Sequence, residues 1–183
     1  MPDQVFIVLF RGVGGQTKLP SAPLRDALTA AGFRDVTTYI ATGNVVLTSD
    51  LSAAKVREGV AAIAEESLGF AKEIFVRTRR EWAKIVRDNP FPEGANNPRT
   101  LHAFILRAKP PKAAIEALGA KASGSERLTI RGTTLYFYAP EGFGTSKMPA
   151  AVERTLKGET TARNWNTVLK LDELAKAAAA RRS

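Results

Sequence analysis

Cysteine is absent, and that one omission removes disulfides, thiolate zinc sites, iron–sulfur clusters and cysteine nucleophiles together. Histidine occurs once, at His102, inside an apolar stretch. A satisfied core imidazole is the simpler role there, and a lone histidine cannot build a zinc site. The acidic residues form no Asp/Glu cluster, so no magnesium site, and no metal at all, is expected. No apolar run is long enough to span a bilayer. The one near the start, Val5 to Phe10, follows Asp3 and has no small-residue cleavage pattern behind it. These absences fit a cytoplasmic protein with no cofactor, no membrane partner and no recognisable catalytic residues.

What is present is a chain of 183 residues, 44% of them hydrophobic. That is enough to bury roughly 70% of the unfolded surface without a metal or disulfide. The formal charge is +9 and is uneven along the sequence. Residues 1–98 carry 12 Lys and Arg against 11 Asp and Glu, net +1, whereas residues 99–183 carry 15 against 7, net +8. Such a bias suggests a basic face for a polyanion, with a merely solvated surface as the alternative.

Hydrophobic periodicity and breaker residues give an element order. Val5 to Phe10 reads as a buried strand closed by the glycine loop Arg11-Gly12-Val13-Gly14-Gly15. A helix capped by Ser21 carries Leu24, Ala27, Leu28 and Ala31 on one face and stops at Gly32. Val36 to Ala41 and Val45 to Ser49 form a hairpin around Thr42-Gly43-Asn44. Ser52 caps a second helix with Val56, Val60, Ile63, Ala64 and Leu68, ended by Gly69, and Lys72 to Thr78 is a fourth strand. A short helix follows from Glu81 to Asp88. Asn89 to Pro98, rich in Pro and Asn, is the expected boundary between a unit 1–98 and a unit 99–183.

The pattern then recurs. Leu101 to Arg107 is a strand, and Pro110-Pro111 opens a helix ended by Gly119. Glu126 to Ile130 and Thr134 to Tyr138 flank Arg131-Gly132-Thr133 as a second hairpin. Ser146 caps a helix bearing Met148, Ala151, Val152 and Leu156, and Thr160 to Ala162 is a short last strand before a C-terminal helix from Trp165. Two βαββαβ units predict an α+β fold of duplicated ferredoxin-like halves, each with an antiparallel sheet and two helices on one face.

Four segments, in order along the chain, resemble a bacterial family known as domain-of-unknown-function family 1697. They are Leu9 to Lys18 (LFRGVGGQTK), Thr38 to Val46 (TYIATGNVV), Asn89-Pro90-Phe91-Pro92, and the pair Ser146-Lys147 together with Thr161 to Thr167 (TARNWNT). The first loop departs from the family pattern, because Val13 follows Gly12 directly where an Ile-Asn pair usually intervenes. The resemblance implies a duplicated α+β fold and a bacterial cytoplasmic setting, with no established activity.

Loop chemistry points to anions. Gly12 to Lys18 fails the Walker and dinucleotide patterns, but glycine amides flanked by Arg11 and Lys18 can nest an anion as well as serve as a plain strand-to-helix loop. Ser146 and Lys147 stand before a helix, where binding competes with simple capping. Asn164 can cap the C-terminal helix and Trp165 can enter a core, which leaves Arg163, Asn166 and Thr167 for a ligand. Arg131 to Tyr138 resembles an RNA-recognition sequence only weakly, since Thr133 and Leu135 stand where stacking rings belong. The expected ligand surface therefore comprises Arg11, Gly14, Gly15, Lys18, Asn44, Ser146, Lys147, Arg163, Asn164 and Asn166. Nucleic acid or a phosphorylated metabolite is the expected partner; an enzyme acting on such a metabolite and a protein-interaction module are the alternatives.

Overall fold

The computed structural model describes residues 2–14, 17–97 and 99–181. Strand β1 (Gln4–Phe10) sits inside a four-stranded antiparallel sheet of order β2-β3-β1-β4, with β2 Arg34–Tyr39, β3 Asn44–Ser49 and β4 Ile74–Thr78. Phe6, Val8 and Phe10 join a core built with Leu24 and Leu28 of α1 (Ser21–Ala30) and Val56, Val60 and Ala64 of α2 (Ala53–Leu68). On the opposite face Ile7 and Leu9 are each 0% exposed. A strand buried on both sides shows no polar alternation, which is why its sequence is a continuous apolar run.

The second sheet repeats this arrangement in the order β6-β7-β5-β8. Between the sheets in sequence lie α3 (Arg79–Arg87) and the single turn α4 (Pro92–Ala95). Strand β5 is Leu101–Leu106, β6 is Arg127–Arg131, β7 is Thr134–Tyr138 and β8 is Thr160–Asn164. Helices α5 (Lys112–Gly119) and α6 (Met148–Thr155) contribute Leu118, Met148, Ala151 and Val152 to a core with Phe104, Leu106, Leu135 and Phe137. Helix α7 (Trp165–Ala180) closes the chain. The duplicated ferredoxin-like order is therefore present in both halves.

Local chemistry sets the element ends. Ser52 caps α2, its hydroxyl accepting from the Lys55 amide at 3.3 Å, and Gly69 ends that helix in the left-handed region at φ 64°. Thr78 and Glu81 form a reciprocal capping box at the start of α3. Ser21 is the first helical residue of α1 and not its cap; Pro20 holds that position without a side-chain bond. β8 continues through Arg163 and Asn164, so these residues lie on a strand where a helix mouth was expected. The Asn-Pro-Phe segment folds back on itself, with the Asn89 carboxamide accepting from the Phe91 amide at 3.0 Å. Phe91 stacks on Tyr138 at 5.9 Å, and the Arg127 guanidinium lies over both rings.

Packing divides the chain into one unit of Met1–Lys84 with Lys170–Ser183 and a second of Ile85–Leu169, where the sequence had suggested a division at 98/99. The consequence for charge is direct. The first unit holds 15 Lys and Arg against 11 Asp and Glu, net +4, and the second 12 against 7, net +5. The imbalance between sequence halves thus arises from where the chain was cut, and neither unit is the basic one.

Candidate functional site

In the first unit, antiparallel pairing of β1 with both β3 and β4 brings three loops to one end of the sheet. The Phe10 amide donates to the Gly43 carbonyl at 2.8 Å, and the Arg11 amide to the Glu73 carbonyl at 2.9 Å. A Cβ on Gly43, whose φ is 74°, would stand 2.7 Å from the Phe10 Cβ and 2.8 Å from the Val13 Cγ2. Only glycine fits where the hairpin turn seats against the loop that follows β1. Gly12 and Gly14 also have left-handed φ values, 72° and 138°, but a Cβ on either would meet nothing within 4 Å. Their backbone faces open space. Gly14 and Thr17 exchange backbone hydrogen bonds at 2.8 and 3.0 Å and close the loop tip; Gly15 lies outside the described residues.

Beside this loop is a cleft of about 540 Å³ lined by Arg11, Gly12, Ala61, Glu65, Phe70, Ala71, Lys72 and Glu73. It joins two cations to two carboxylates over a small apolar floor. Lys18 is exposed further along the same loop. Asn44 plays a different part from the one expected. It is 1% exposed, and its amide nitrogen donates to the Tyr39 carbonyl at 3.1 Å and to the Thr42 hydroxyl at 3.0 Å. This carboxamide holds the β2–β3 turn in shape.

In the second unit the expected residues separate. Phe143 stacks on His102 at 3.6 Å and also approaches Phe104 and Phe137, so the 143–145 turn and α6 lie over the sheet face that carries His102. Register places Asn164 opposite His102, hence on that face, and Arg163 opposite Ala103, hence on the other. Lys147, exposed at the start of α6, and Arg163 are therefore on opposite sides of one sheet. The two cations do not share a cavity.

Arg163 is 9% exposed and donates from Nη1 to the Thr161 hydroxyl at 2.9 Å and the Ala162 carbonyl at 2.8 Å. Burial lowers its pKa to about 10, which still leaves it charged at neutral pH. Asn164 caps α7 through the Thr167 amide at 2.9 Å, and the Ser146 hydroxyl accepts from the Met148 amide at 2.9 Å. Asn166 is exposed, Thr167 is buried, and Trp165 packs 6.3 Å from Tyr136. Tyr136 is itself buried, with its hydroxyl donating to the Ile85 carbonyl at 2.8 Å, so β7 offers no base-stacking platform there. His102 is core-facing as expected, but its Nδ1 is buried without a hydrogen bond among the described residues, and burial lowers its pKa to about 4.

Glu65, Phe70, Lys72 and Glu73 were not singled out from sequence. The usable signal was topological: in a βαββαβ unit the first and last strands pair antiparallel, so the residues before β4 must meet those after β1. Among the described residues no helix is long and apolar enough to cross a membrane, and no group of three or more His, Asp or Glu could hold a metal ion.

Comparison with known proteins agrees with this architecture. A solved structure of a conserved bacterial protein from Streptococcus pneumoniae superposes with a TM-score of 0.73 at 20% identity, covering 94% of this chain and 99% of that one. That likeness is one of fold. No curated protein matches. The model of the family described as "Protein of unknown function (DUF1697)" matches residues 4–136, well over half of the chain and including three of the four segments noted from sequence, and the protein therefore belongs to that family.

Proposed function

We propose that this protein binds a phosphorylated small molecule at the loop end of the first unit, with Arg11 and Lys72 meeting the phosphate and Glu65 and Glu73 accepting hydrogen bonds from the rest of the ligand. The observation that carries this reading is the convergence of the glycine loop, helix α2 and the residues before β4 around one cleft of about 540 Å³. Gly12, left-handed with open space above it, lets an anion approach the backbone at the cleft, and guanidinium and ammonium groups supply charge.

The two carboxylates decide between ligand classes. A nucleic-acid track is lined by cations, because each carboxylate repels the phosphate backbone. A cleft that mixes Arg11 and Lys72 with Glu65 and Glu73 suits a compact ligand carrying both a phosphate and hydroxyl or amine donors. The near-equal charges of the two units, +4 and +5, also remove the argument for one basic face. A binding role is favoured over catalysis because the site gathers charged groups without a nucleophile placed beside a base.

The test is calorimetric titration with a panel of sugar phosphates, with inorganic phosphate and short single-stranded RNA as comparators. A sugar phosphate should bind best, and Arg11→Ala and Lys72→Ala should each weaken it by roughly tenfold or more, the worth of one hydrogen bond to a charged group. Tighter binding of RNA with a steep salt dependence would overturn this choice. So would sugar-phosphate affinity that ignores both substitutions.

A further inference from the structure

The two halves share a backbone construction at the loop end of each sheet. The Phe10 to Gly43 and Arg11 to Glu73 amide–carbonyl bonds of the first unit recur as Leu106 to Thr133 and Arg107 to Glu159 in the second, at 2.9 and 3.1 Å. The second unit accordingly has its own cleft in the corresponding place, between the chain leaving β5 and the end of α6. Its volume is about 310 Å³, within the range of small-ligand sites.

The lining has diverged. Where the first unit has a glycine loop, the second has Ala108-Lys109-Pro110-Pro111, and the floor is formed by Leu106, Pro110, Ala114 and Leu156. The charged groups at the rim are Lys109, Lys157 and Glu159, a balance of one positive charge. Lys157 also stands in the left-handed region at φ 51°, just past the Leu156 cap of α6, with the Gly158 amide bonding back to the Glu153 carbonyl at 3.1 Å. Glycine is the residue that this position favours, since a side chain there crowds the following carbonyl. Lysine occupies it and borders the cleft.

We propose that this cleft is a second binding site, for a small amphiphilic monocarboxylate whose apolar body rests on Leu106, Pro110, Ala114 and Leu156 while its carboxylate meets Lys109 and Lys157. Four apolar side chains give a hydrocarbon body more to rest on than Ala61, Phe70 and Ala71 offer in the first cleft, and two lysines opposed by one carboxylate at the rim suit a carboxylate head. The site is independent of the one proposed in the first unit. Neither its residues nor its ligand chemistry are shared.

The experiment is calorimetric titration of the full chain with sodium octanoate, with 1-octanol as the uncharged comparator. Saturable one-to-one binding is expected, about fivefold or more tighter for octanoate than for octanol. Lys157→Gly should weaken octanoate by about fivefold while raising Tm by about 2 °C, because it removes a cation and relieves the backbone together. Ala114→Phe should fill the floor and abolish binding, with its circular dichroism spectrum and a cooperative thermal transition as the check of folding. Absence of saturable binding overturns the proposal, as does binding that is unchanged in Lys157→Gly, a variant that cannot be dismissed as misfolded if its Tm rises.

Discussion

Superposed by strand register, the two halves separate what the fold requires from what each half has acquired. Phe6 faces Leu47 and Thr78 in the first sheet as His102 faces Phe137 and Asn164 in the second. From that anchor, Arg77 corresponds to Arg163 and Thr78 to Asn164. Both arginines donate from Nη1 to the preceding carbonyl, Arg77 to Val76 at 2.9 Å and Arg163 to Ala162 at 2.8 Å. Thr78 and Asn164 both cap the helix that follows. In both halves these side chains make the same local bonds to the backbone, so Arg163 and Asn164 belong to the scaffold. The glycine loop with Lys18 and Lys72 occurs only in the first half, and the apolar cleft with Lys109 and Lys157 only in the second. Arg11 and Glu73 recur as Arg107 and Glu159, so a difference in ligand chemistry between the halves should be sought in those unshared parts.

The sharpest way to strain this comparison is at the two hairpin glycines. Gly43→Ala meets both a left-handed φ and contacts of 2.7 and 2.8 Å, whereas Gly132→Ala has φ 60° and nothing within 4 Å. Strain of about 1–2 kcal/mol applies to both, and overpacking of about 1–3 kcal/mol only to the first. Chemical denaturation should therefore show Gly43→Ala destabilised by about 3 kcal/mol and Gly132→Ala by about 1. Equal losses would mean that the turn is not seated on the Phe10–Val13 segment.

Next in size is the exchange of His102 for the phenylalanine of the other half. The folded pKa of His102 lies near 4, below the 6.5 of an unperturbed histidine, so on acidification the unfolded chain takes up a proton first. Its contribution is complete above about pH 6.5 and is lost as pH falls toward 4, by up to about 3 kcal/mol at 1.36 kcal/mol per pKa unit. His102→Phe should preserve the ring stack on Phe143 and flatten the fall in Tm between pH 7 and 4. If both proteins lose stability in parallel, His102 is not the group responsible.

The paired arginines come third. Arg77→Met and Arg163→Met should each cost about 2 kcal/mol through lost charge-assisted hydrogen bonds, while leaving sugar-phosphate affinity within twofold of the parent. A loss of affinity confined to Arg163→Met would return that residue to the ligand surface.

How much of this was legible beforehand follows from the same pairing. Periodicity, caps and breakers were strong enough to give two βαββαβ units, because a buried strand and a stop at Gly69 are written locally. The duplication itself was not visible at residue level. The matched residues Arg11 and Arg107, Glu73 and Glu159, Arg77 and Arg163 are few, and the lead-in to β4 is one residue longer after its helix than the lead-in to β8. The site was half legible for a physical reason: Arg, Asn and Ser suit ligands and helix caps equally well, and only register tells which face a strand residue such as Arg163 takes. Net charge behaves similarly: residues 1–98 and 99–183 carry +1 and +8, whereas the two packed units carry +4 and +5.

The smallest expected effect concerns the turns that join the middle strands. In the first unit Ile40 adopts φ 48° with 49% of its surface exposed, whereas the second unit makes the same connection through Gly132. A β-branched side chain in that region is strained, and exposure means that little packing is gained in return. Ile40→Gly should therefore stabilise the fold by about 1 kcal/mol, partly offset by the greater freedom of glycine in the unfolded chain, and raise Tm by a few degrees. A fall in Tm would show that Ile40 makes a stabilising contact in solution, and the hairpin tip would then differ from its counterpart by more than backbone strain.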